Sequence, residues 1–348
     1  MSALLLTTLL AGVGGAAGAA GAAQAAPPAQ TVTILPFTQP ADVVSSGDRV
    51  FVSGGRTATQ VVVTDAAGAI TGTLDGLSGP TDLQLSNDRK TLYVAEPTAD
   101  RIVAFDTGSL TQSASYSTGA GTCPSTLAFT GRFVWFGYSC GTWGGNIGKI
   151  DLGRQPAVVT TAQTTIDFYG APILASAVSN NKVLFAGEAG LSPWTGWSFS
   201  IAGGTLTQIS TTSHSATGGN LGDLALAPTG TTAYSASGAP YHISSWTVAD
   251  LAEEGKTYQT GPYPVAVDVT RDGALIAGGT FAWYDPDVYV FKVDGTPVTQ
   301  FELGGQDHVL ATSGLTWAPN GRRLYAVSND GYLYQNPGQL HVLPVPAV

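Results

Sequence analysis

The chain has 348 residues, of which 43% are hydrophobic and only 11% are charged. That charged fraction is low against the roughly 25% of an average soluble domain, and the length allows one large domain or two ordinary ones with a sizeable core. The net charge is −10 and Lys and Arg form no cluster, which argues against a nucleic acid or an anionic membrane surface as a partner.

Residues 1–25 differ from the rest and predict a secretory signal peptide. An apolar stretch at residues 4–10 leads into a Gly/Ala run, and Ala23-Gln24-Ala25 has the small-x-small pattern of a cleavage site. Because no Lys or Arg precedes the apolar stretch, the alternative is an Ala/Gly tail, and the Gly/Ala content argues against a membrane anchor. We therefore expect a secreted, extracellular protein with a short linker at residues 26–30.

A unit made of an alternating apolar strand, a polar turn and a second apolar run recurs seven times along the chain. Its clearest copy extends from Gly79 through Tyr93 to Asp106. Asp-Gly, Asn-Gly and Thr-Gly pairs in several of the turns are hairpin signals, because glycine accepts positive φ. The second runs align on one anchor residue each: Phe51, Tyr93, Trp135, Leu184, Tyr234, Leu275 and Tyr325.

A third strand follows each anchor, and a more polar fourth strand often follows the third, as at residues 70–74 and 297–303. Four strands per unit, with one candidate helical turn at residues 248–254, predict an all-β, seven-bladed β-propeller. The predicted third strands cover residues 60–65, 101–106, 146–151, 196–201, 242–248, 287–293 and 339–343.

The two ends of the chain are expected to meet in the last blade. The seventh unit lacks a fourth strand, and residues 31–37 form a spare one. We expect the spare strand to complete the seventh blade, which closes the ring and covers an exposed edge; the alternative is an unpaired lead-in. The propeller would then cover residues 31–343. The Pro/Val/Ala ending at 344–348 is typical of a tail or a linker within a longer multidomain surface protein.

The repeats resemble the YVTN/NHL-type propeller repeat. Its form is a Pro, an alternating strand, an Asp/Asn-Gly turn, Leu-Tyr-Val-Ala, and a strand that ends in Asp. The match is best over residues 80–106, then over 318–327 and 265–279. This resemblance implies a propeller of the kind found in secreted bacterial proteins. It is specific for fold and says little about function, because the fold hosts many unrelated activities.

Cys123 and Cys140 are the two cysteines of the chain. They flank two predicted adjacent strands, and export would place them in an oxidising compartment. We therefore expect a disulfide across one hairpin, with two buried thiols as the alternative.

The loops between second and third strands, together with the loops between blades, open onto one face of a propeller, and here they are rich in aromatic residues. Trp and Tyr can stack on a sugar ring or anchor a protein partner; alternatively, they pack on one another to hold long loops in place. Trp135, Trp246 and Trp317 are expected between blades instead. The candidate ligand-binding residues are Trp143, Trp194, Trp197, Tyr241, Trp283, Tyr284, Asp307 and His308.

Signals for catalysis or metal binding are weak. The four histidines have no metal-binding spacing, and the cluster of His and Glu that streptogramin lyases of this fold need is not found in the sequence. Lactonase-like propellers bind calcium through Glu, Asn and Asp, and Glu96, Glu188 and Asn146 are the candidates for such a site.

We therefore predict a monomeric, secreted, non-catalytic binding module for an extracellular glycan or protein, without a cofactor. The alternative is a calcium-assisted lactonase, hydrolase or lyase on the same scaffold. No catalytic residue is assigned.

Overall fold

The computed structural model describes residues 30–212, 216–331 and 333–347. These residues form seven four-stranded antiparallel sheets, each with its strands hydrogen-bonded in sequence order except the last. The predicted signal peptide, His214 and Tyr332 lie outside the described residues. In the part of the chain that is described, no helix is both long and apolar enough to cross a membrane.

The first four blades contain, from the centre outward, β2 (Asp42–Ser45), β3 (Arg49–Ser53), β4 (Gln60–Asp65) and β5 (Ile70–Asp75); β6 (Leu83–Leu85), β7 (Thr91–Glu96), β8 (Arg101–Asp106) and β9 (Gln112–Ser117); β10 (Pro124–Thr130), β11 (Phe133–Tyr138), β12 (Asn146–Asp151) and β13 (Val158–Thr160); β14 (Ile173–Ala177), β15 (Asn180–Gly187), β16 (Gly196–Ala202) and β17 (Thr205–Thr211).

The remaining three blades contain β18 (Gly219–Leu226), β19 (Thr232–Ala239), β20 (His242–Thr247) and β21 (Thr257–Gln259); β22 (Pro264–Val269), β23 (Leu275–Thr280), β24 (Val288–Lys292) and β25 (Pro297–Phe301); β26 (Val309–Trp317), β27 (Arg323–Asn329), β28 (Gln339–Pro344) and β1 (Thr31–Ile34). All seven anchor residues lie in second strands, so the predicted seven-bladed propeller is confirmed.

The blades form a ring because their second and third strands are apolar on both faces. β7, for example, buries every residue from Leu92 to Glu96. The buried side chains fall into seven clusters, and each cluster joins one pair of neighbouring blades. Trp135, Trp246 and Trp317 are buried in three of these clusters, as predicted. Each sheet is therefore stabilised by the two sheets beside it.

The ring is closed by pairing of the two chain ends, as predicted. β1 is antiparallel to β28, with Thr31 opposite Val342 and Ile34 opposite Gln339. A buried histidine of β28 lies at this seam: His341 Nδ1 is 2.8 Å from Gln30 Nε2, and its Nε2 is 2.8 Å from Ser328 Oγ. Burial lowers the pKa of His341 to about 3, so the imidazole is neutral at physiological pH.

The helical turn expected at residues 248–254 is not formed, and this expectation was wrong. Thr247 instead makes an isolated β-bridge with Asp250, and Leu251 is fully buried in the cluster between blades 4 and 5. Packing of one apolar side chain between blades therefore decides the path of this segment. Short 3-10 turns occur at Pro97–Ala99 and Gly305–Asp307.

The closing strand generates a stability prediction. Leu35 is 1% exposed and packs in the cluster between blades 7 and 1, whereas its neighbour Ile34 is 58% exposed. Leu35→Ala should lower the free energy of unfolding by about 2–5 kcal/mol, the usual cost of truncating a buried leucine. Ile34→Ala is the matched control and should change it by less than about 0.5 kcal/mol. Urea unfolding measures both, and equal stability of the two variants would contradict the closure.

Candidate functional site

The exposed aromatic residues are concentrated on one face of the ring. We call the face that carries the loops between second and third strands, and the loops between blades, the upper face. Among the described residues, every large aromatic side chain that is exposed lies in these loops, and together they form an arc over blades 3 to 7. With the half-buried Tyr169, which contacts one of them, we call this group the aromatic arc: Trp143, Tyr169, Tyr241, Tyr263, Tyr284 and Tyr334.

Three members of the aromatic arc adopt a backbone conformation that bulky residues rarely take. The φ angles are 73° at Trp143, 56° at Tyr263 and 48° at Tyr334. Left-handed backbone at a bulky residue costs energy, and such strain is concentrated at functional sites. These three backbone conformations therefore cost conformational free energy, which packing elsewhere in the fold must offset.

Contacts within and beside the loop of blade 3 fix Trp143. Its backbone N–H donates to the carbonyl of Tyr169, and the two rings meet edge to face with centroids 5.2 Å apart. The predicted disulfide is confirmed: Cys123 and Cys140 are bonded, with Cα atoms 5.0 Å apart. It ties the start of the loop that carries Trp143 to the first strand of the same blade.

The rings of blades 5 to 7 are held in a similar way. The ring centroids of Tyr241 and Tyr263 lie 5.4 Å apart, and the carbonyl of Tyr241 accepts a 2.7 Å hydrogen bond from Gln259 Nε2. Trp283 packs against Gly331 of blade 7 so closely that a Cβ there would lie 2.6 Å from the indole. Aromatic contacts therefore join the upper-face loops of blade 5 to the loop that follows it, and those of blade 6 to blade 7.

The charge around the aromatic arc is negative. The upper-face loops of blades 3 to 7 contain no Lys or Arg. They carry four exposed carboxylates, at Asp167, Asp285, Glu302 and Asp307. An approaching partner with basic residues would therefore be attracted to this surface.

The predicted ligand-binding residues divide into an exposed and a buried group. Trp143, Tyr241 and Tyr284 are 67%, 45% and 82% exposed, whereas Trp194 is fully buried and meets Trp246 edge to face. Trp194 thus lies in the core between blades 4 and 5, because its loop folds inward there.

The remaining candidates are half-buried or lie at the edge of the upper face. Trp197 is half-buried against Phe168, and Trp283 is half-buried against blade 7. Asp307 is exposed, while His308 is buried with its Nε2 3.3 Å from the carbonyl of Pro337.

The three calcium candidates are each engaged in hydrogen bonds with neighbouring loops. Glu96 accepts hydrogen bonds from Arg101 and from the backbone N–H of Ser78. Glu188 accepts one from the backbone of Tyr169, and the amide of Asn146 donates to two backbone carbonyls in the connection between blades 3 and 4. None of these bonds joins one candidate to another.

One cluster of potential metal ligands is close enough to share an ion among the described residues. It consists of Asp100, Cys123 and Cys140. The two sulfur atoms are bonded to each other, and Asp100 Oδ1 accepts a 2.7 Å hydrogen bond from the backbone of Cys123. The Asp100 carboxylate therefore holds the backbone of Cys123 in place next to the disulfide.

Four aspartates in or directly before the inner strands join neighbouring blades, and the sequence interpretation missed this role. Asp42, Asp82, Asp223 and Asp268 each accept a backbone N–H from the first strand of the next blade, at 2.7 to 2.9 Å. We call them the channel aspartates, because all four line the central channel. Their recurrence before an aliphatic residue in four first strands was the available signal.

Burial in the channel wall makes these carboxyl groups hard to ionise. It raises the pKa of Asp223 to about 8, of Asp42 to about 7 and of Asp268 to about 6, against the opposing effect of the backbone N–H bonds. Burial, reinforced by the charge of Asp42, also raises the pKa of Asp82. The wall therefore carries less negative charge near neutral pH than four ordinary aspartates would.

A bulge in β26 joins blade 7 to blade 5 at the channel wall. The strand shifts register between Leu310 and Leu315, and Ser313 adopts a φ of 56°. Its hydroxyl donates a 3.3 Å hydrogen bond to the carbonyl of Gly222 in blade 5. Blades 5 and 7 are therefore linked directly along the inner wall.

Comparisons with known proteins identify the fold. No protein-family model and no curated protein matches the chain. A chain in a crystal structure of the mitotic checkpoint complex is 14% identical, with a TM-score of 0.70 over 99% of this chain and 100% of that one. The Cps50 (Swd1) β-propeller domain of Myceliophteria thermophila is 14% identical, with a TM-score of 0.64 over 91% of this chain and 100% of that one. The chain is thus similar to β-propellers in fold.

The channel aspartates generate a pH prediction. Because the pKa of Asp223 in the folded state, about 8, lies above its unfolded value, its contribution to stability is full below the unfolded pKa and is lost progressively as pH rises from there to about 8. Asp223→Asn cannot ionise. The melting temperature of the native protein minus that of this variant should therefore fall steadily from pH 5 to pH 8 and level off above pH 8.

Asp75→Asn serves as the control for that measurement. Asp75 is exposed and lies at the end of an outer strand. The difference in melting temperature between the native protein and Asp75→Asn should therefore stay constant over the same pH range. A difference between the native protein and Asp223→Asn that stays constant from pH 5 to pH 8, or that shifts in favour of the native protein as pH rises, would contradict the interpretation.

Proposed function

We propose that this chain is a secreted, monomeric binding protein, built on a propeller of the YVTN/NHL repeat type, that docks a protein partner on its upper face. The observation that carries the proposal is the placement of the exposed aromatic side chains of the described residues, all in the loops of that one face. Trp and Tyr dominate the binding energy of protein interfaces. They supply large contact areas at low cost in conformational entropy.

The extent of the aromatic arc favours a protein over a single sugar. Its rings extend from blade 3 to blade 7, and four of the six form two pairs, Trp143 with Tyr169 and Tyr241 with Tyr263. A sugar-binding site would bring rings and polar groups together around one pocket. A broad surface with several separate aromatic anchors suits a folded partner.

Charge indicates the chemistry of that partner. The exposed carboxylates around the arc, without Lys or Arg in the same loops, favour a partner with basic residues at the rim of its contact surface. One of the similar solved chains belongs, by its name, to a complex, which agrees with protein docking as the use of such a scaffold.

The aromatic arc can be tested by substitution. A variant with Trp143→Ala, Tyr241→Ala and Tyr284→Ala removes three exposed rings from three blades. Loss of an interface hot spot costs about 2 kcal/mol or more. We therefore expect this variant to lose the proteins that the immobilised native chain captures from extracellular extracts, with affinities followed by surface plasmon resonance at two salt concentrations.

The matched control replaces exposed apolar residues elsewhere on the molecule. Val158, Ile209 and Val293 are between 42% and 45% exposed and lie outside the upper-face loops, and their alanine variant should capture the same proteins as the native chain. A glycan array run in parallel distinguishes the two ligand classes. Capture that survives loss of the three rings, or binding to glycans alone, would overturn the proposal.

A further inference from the structure

Two arginines lie at the lower mouth of the central channel, on the face opposite the aromatic arc. Arg89 is in the turn between β6 and β7, and Arg271 is in the turn between β22 and β23. Both side chains line the channel, whose volume is about 350 Å³. The four channel aspartates line the same cavity, but among the described residues none of them forms an ion pair with either arginine.

Neither guanidinium forms an ion pair within the part of the chain that the structure describes. The Nη1 atom of Arg89 is buried and has no hydrogen-bond partner among those residues. A buried donor that is left unpaired costs free energy, and in native structures it commonly marks a bound water or ion.

The two charges also act on each other. Burial, and then the positive charge of Arg271, lower the pKa of the Arg89 guanidinium, while the exposed Asp48 acts in the opposite direction. An anion between the two guanidinium groups would remove this repulsion.

The acidic residues of the same turns do not serve as counter-ions. Asp88 accepts hydrogen bonds from Ser86 Oγ and from the backbone of Lys90, at 2.6 and 3.1 Å. Asp272 is engaged in the same way by Thr270 Oγ1 and the backbone of Ala274. Each carboxylate is thus used to shape its own turn.

The turn that carries Arg89 is held in place. Arg89 has a φ of 60°; its backbone N–H donates to Ser86, and its carbonyl accepts a 2.8 Å hydrogen bond from Thr107 Oγ1. On the same rim, Asn87 Nδ2 donates a 3.0 Å hydrogen bond to Asn181 of blade 4, and Asn87 also lines the channel. The cations are therefore presented on a constrained rim.

We propose that the lower mouth of the channel is an oxyanion-binding site in which Arg89 and Arg271 bind a small phosphate-class or sulfate-class ion. A guanidinium group matches an oxyanion because it offers two parallel N–H donors together with its charge. Two such groups from blades 2 and 6 would bind the ion from two sides. This site is separate from the upper face and does not depend on the function proposed for it.

The probe for this site is inorganic phosphate, added at constant ionic strength. Isothermal titration calorimetry of the full chain should give saturable binding, and the melting temperature should rise with phosphate because the ion binds the folded state. Arg89→Gln and Arg271→Gln should each weaken binding about 10-fold or more. Arg322→Gln is the matched control, since Arg322 is an exposed arginine in the corresponding turn of blade 7 and does not line the channel.

The three variants distinguish a specific site from general surface charge. Saturable binding that is lost in both channel variants and kept in Arg322→Gln supports the site. The absence of saturable binding to the native chain overturns it, as does an equal loss in Arg322→Gln, which would indicate general surface charge. Should Arg89→Gln fail to fold, Arg271→Gln decides alone, because its side chain is exposed. Capture of proteins by the upper face should be unchanged in Arg271→Gln.

Discussion

Every blade of this protein is a small sheet with two apolar faces, so no blade can bury its surface unless it lies between two neighbours. The seven clusters of buried side chains, one at each junction between blades, express this constraint. A ring satisfies it only when the last blade meets the first. Here β1 supplies the outer strand of the seventh blade, so the first and last strands of the propeller are held in one sheet.

The closed ring allows its loops to carry strain. Trp143, Tyr263 and Tyr334 hold left-handed backbone conformations, and strain of this kind persists only where the surrounding structure determines it. Around Trp143 that support comes from the disulfide and from the backbone hydrogen bond to Tyr169. The channel aspartates add support from inside the ring. Each carboxylate accepts a backbone N–H from the inner strand of the next blade and so holds two blades together.

Much of the fold was predictable from the sequence, because a period of two residues identifies strands directly. Tyr93 and Leu275 were placed in second strands from that pattern, and the structure agrees. The site was less predictable, because exposure depends on loop conformation. Trp194 is in a loop but is buried by neighbouring blades. Asp223 looks like an ordinary polar residue of an alternating strand, and its partner Val267 lies in another blade, which a local pattern cannot show.

Amide hydrogen exchange followed by mass spectrometry tests the central claim most directly, because it compares the seam with the other blades in the unmodified protein. If pairing of the chain ends seals the ring, the hydrogen-bonded amides of Thr31–Ile34 should exchange as slowly as those of another outer strand, Gln112–Ser117, and peptides covering Gln339–Pro344 as slowly as the third strand of blade 3. Exchange of every amide of Thr31–Ile34 within seconds, while the other outer strands stay protected, would contradict the account.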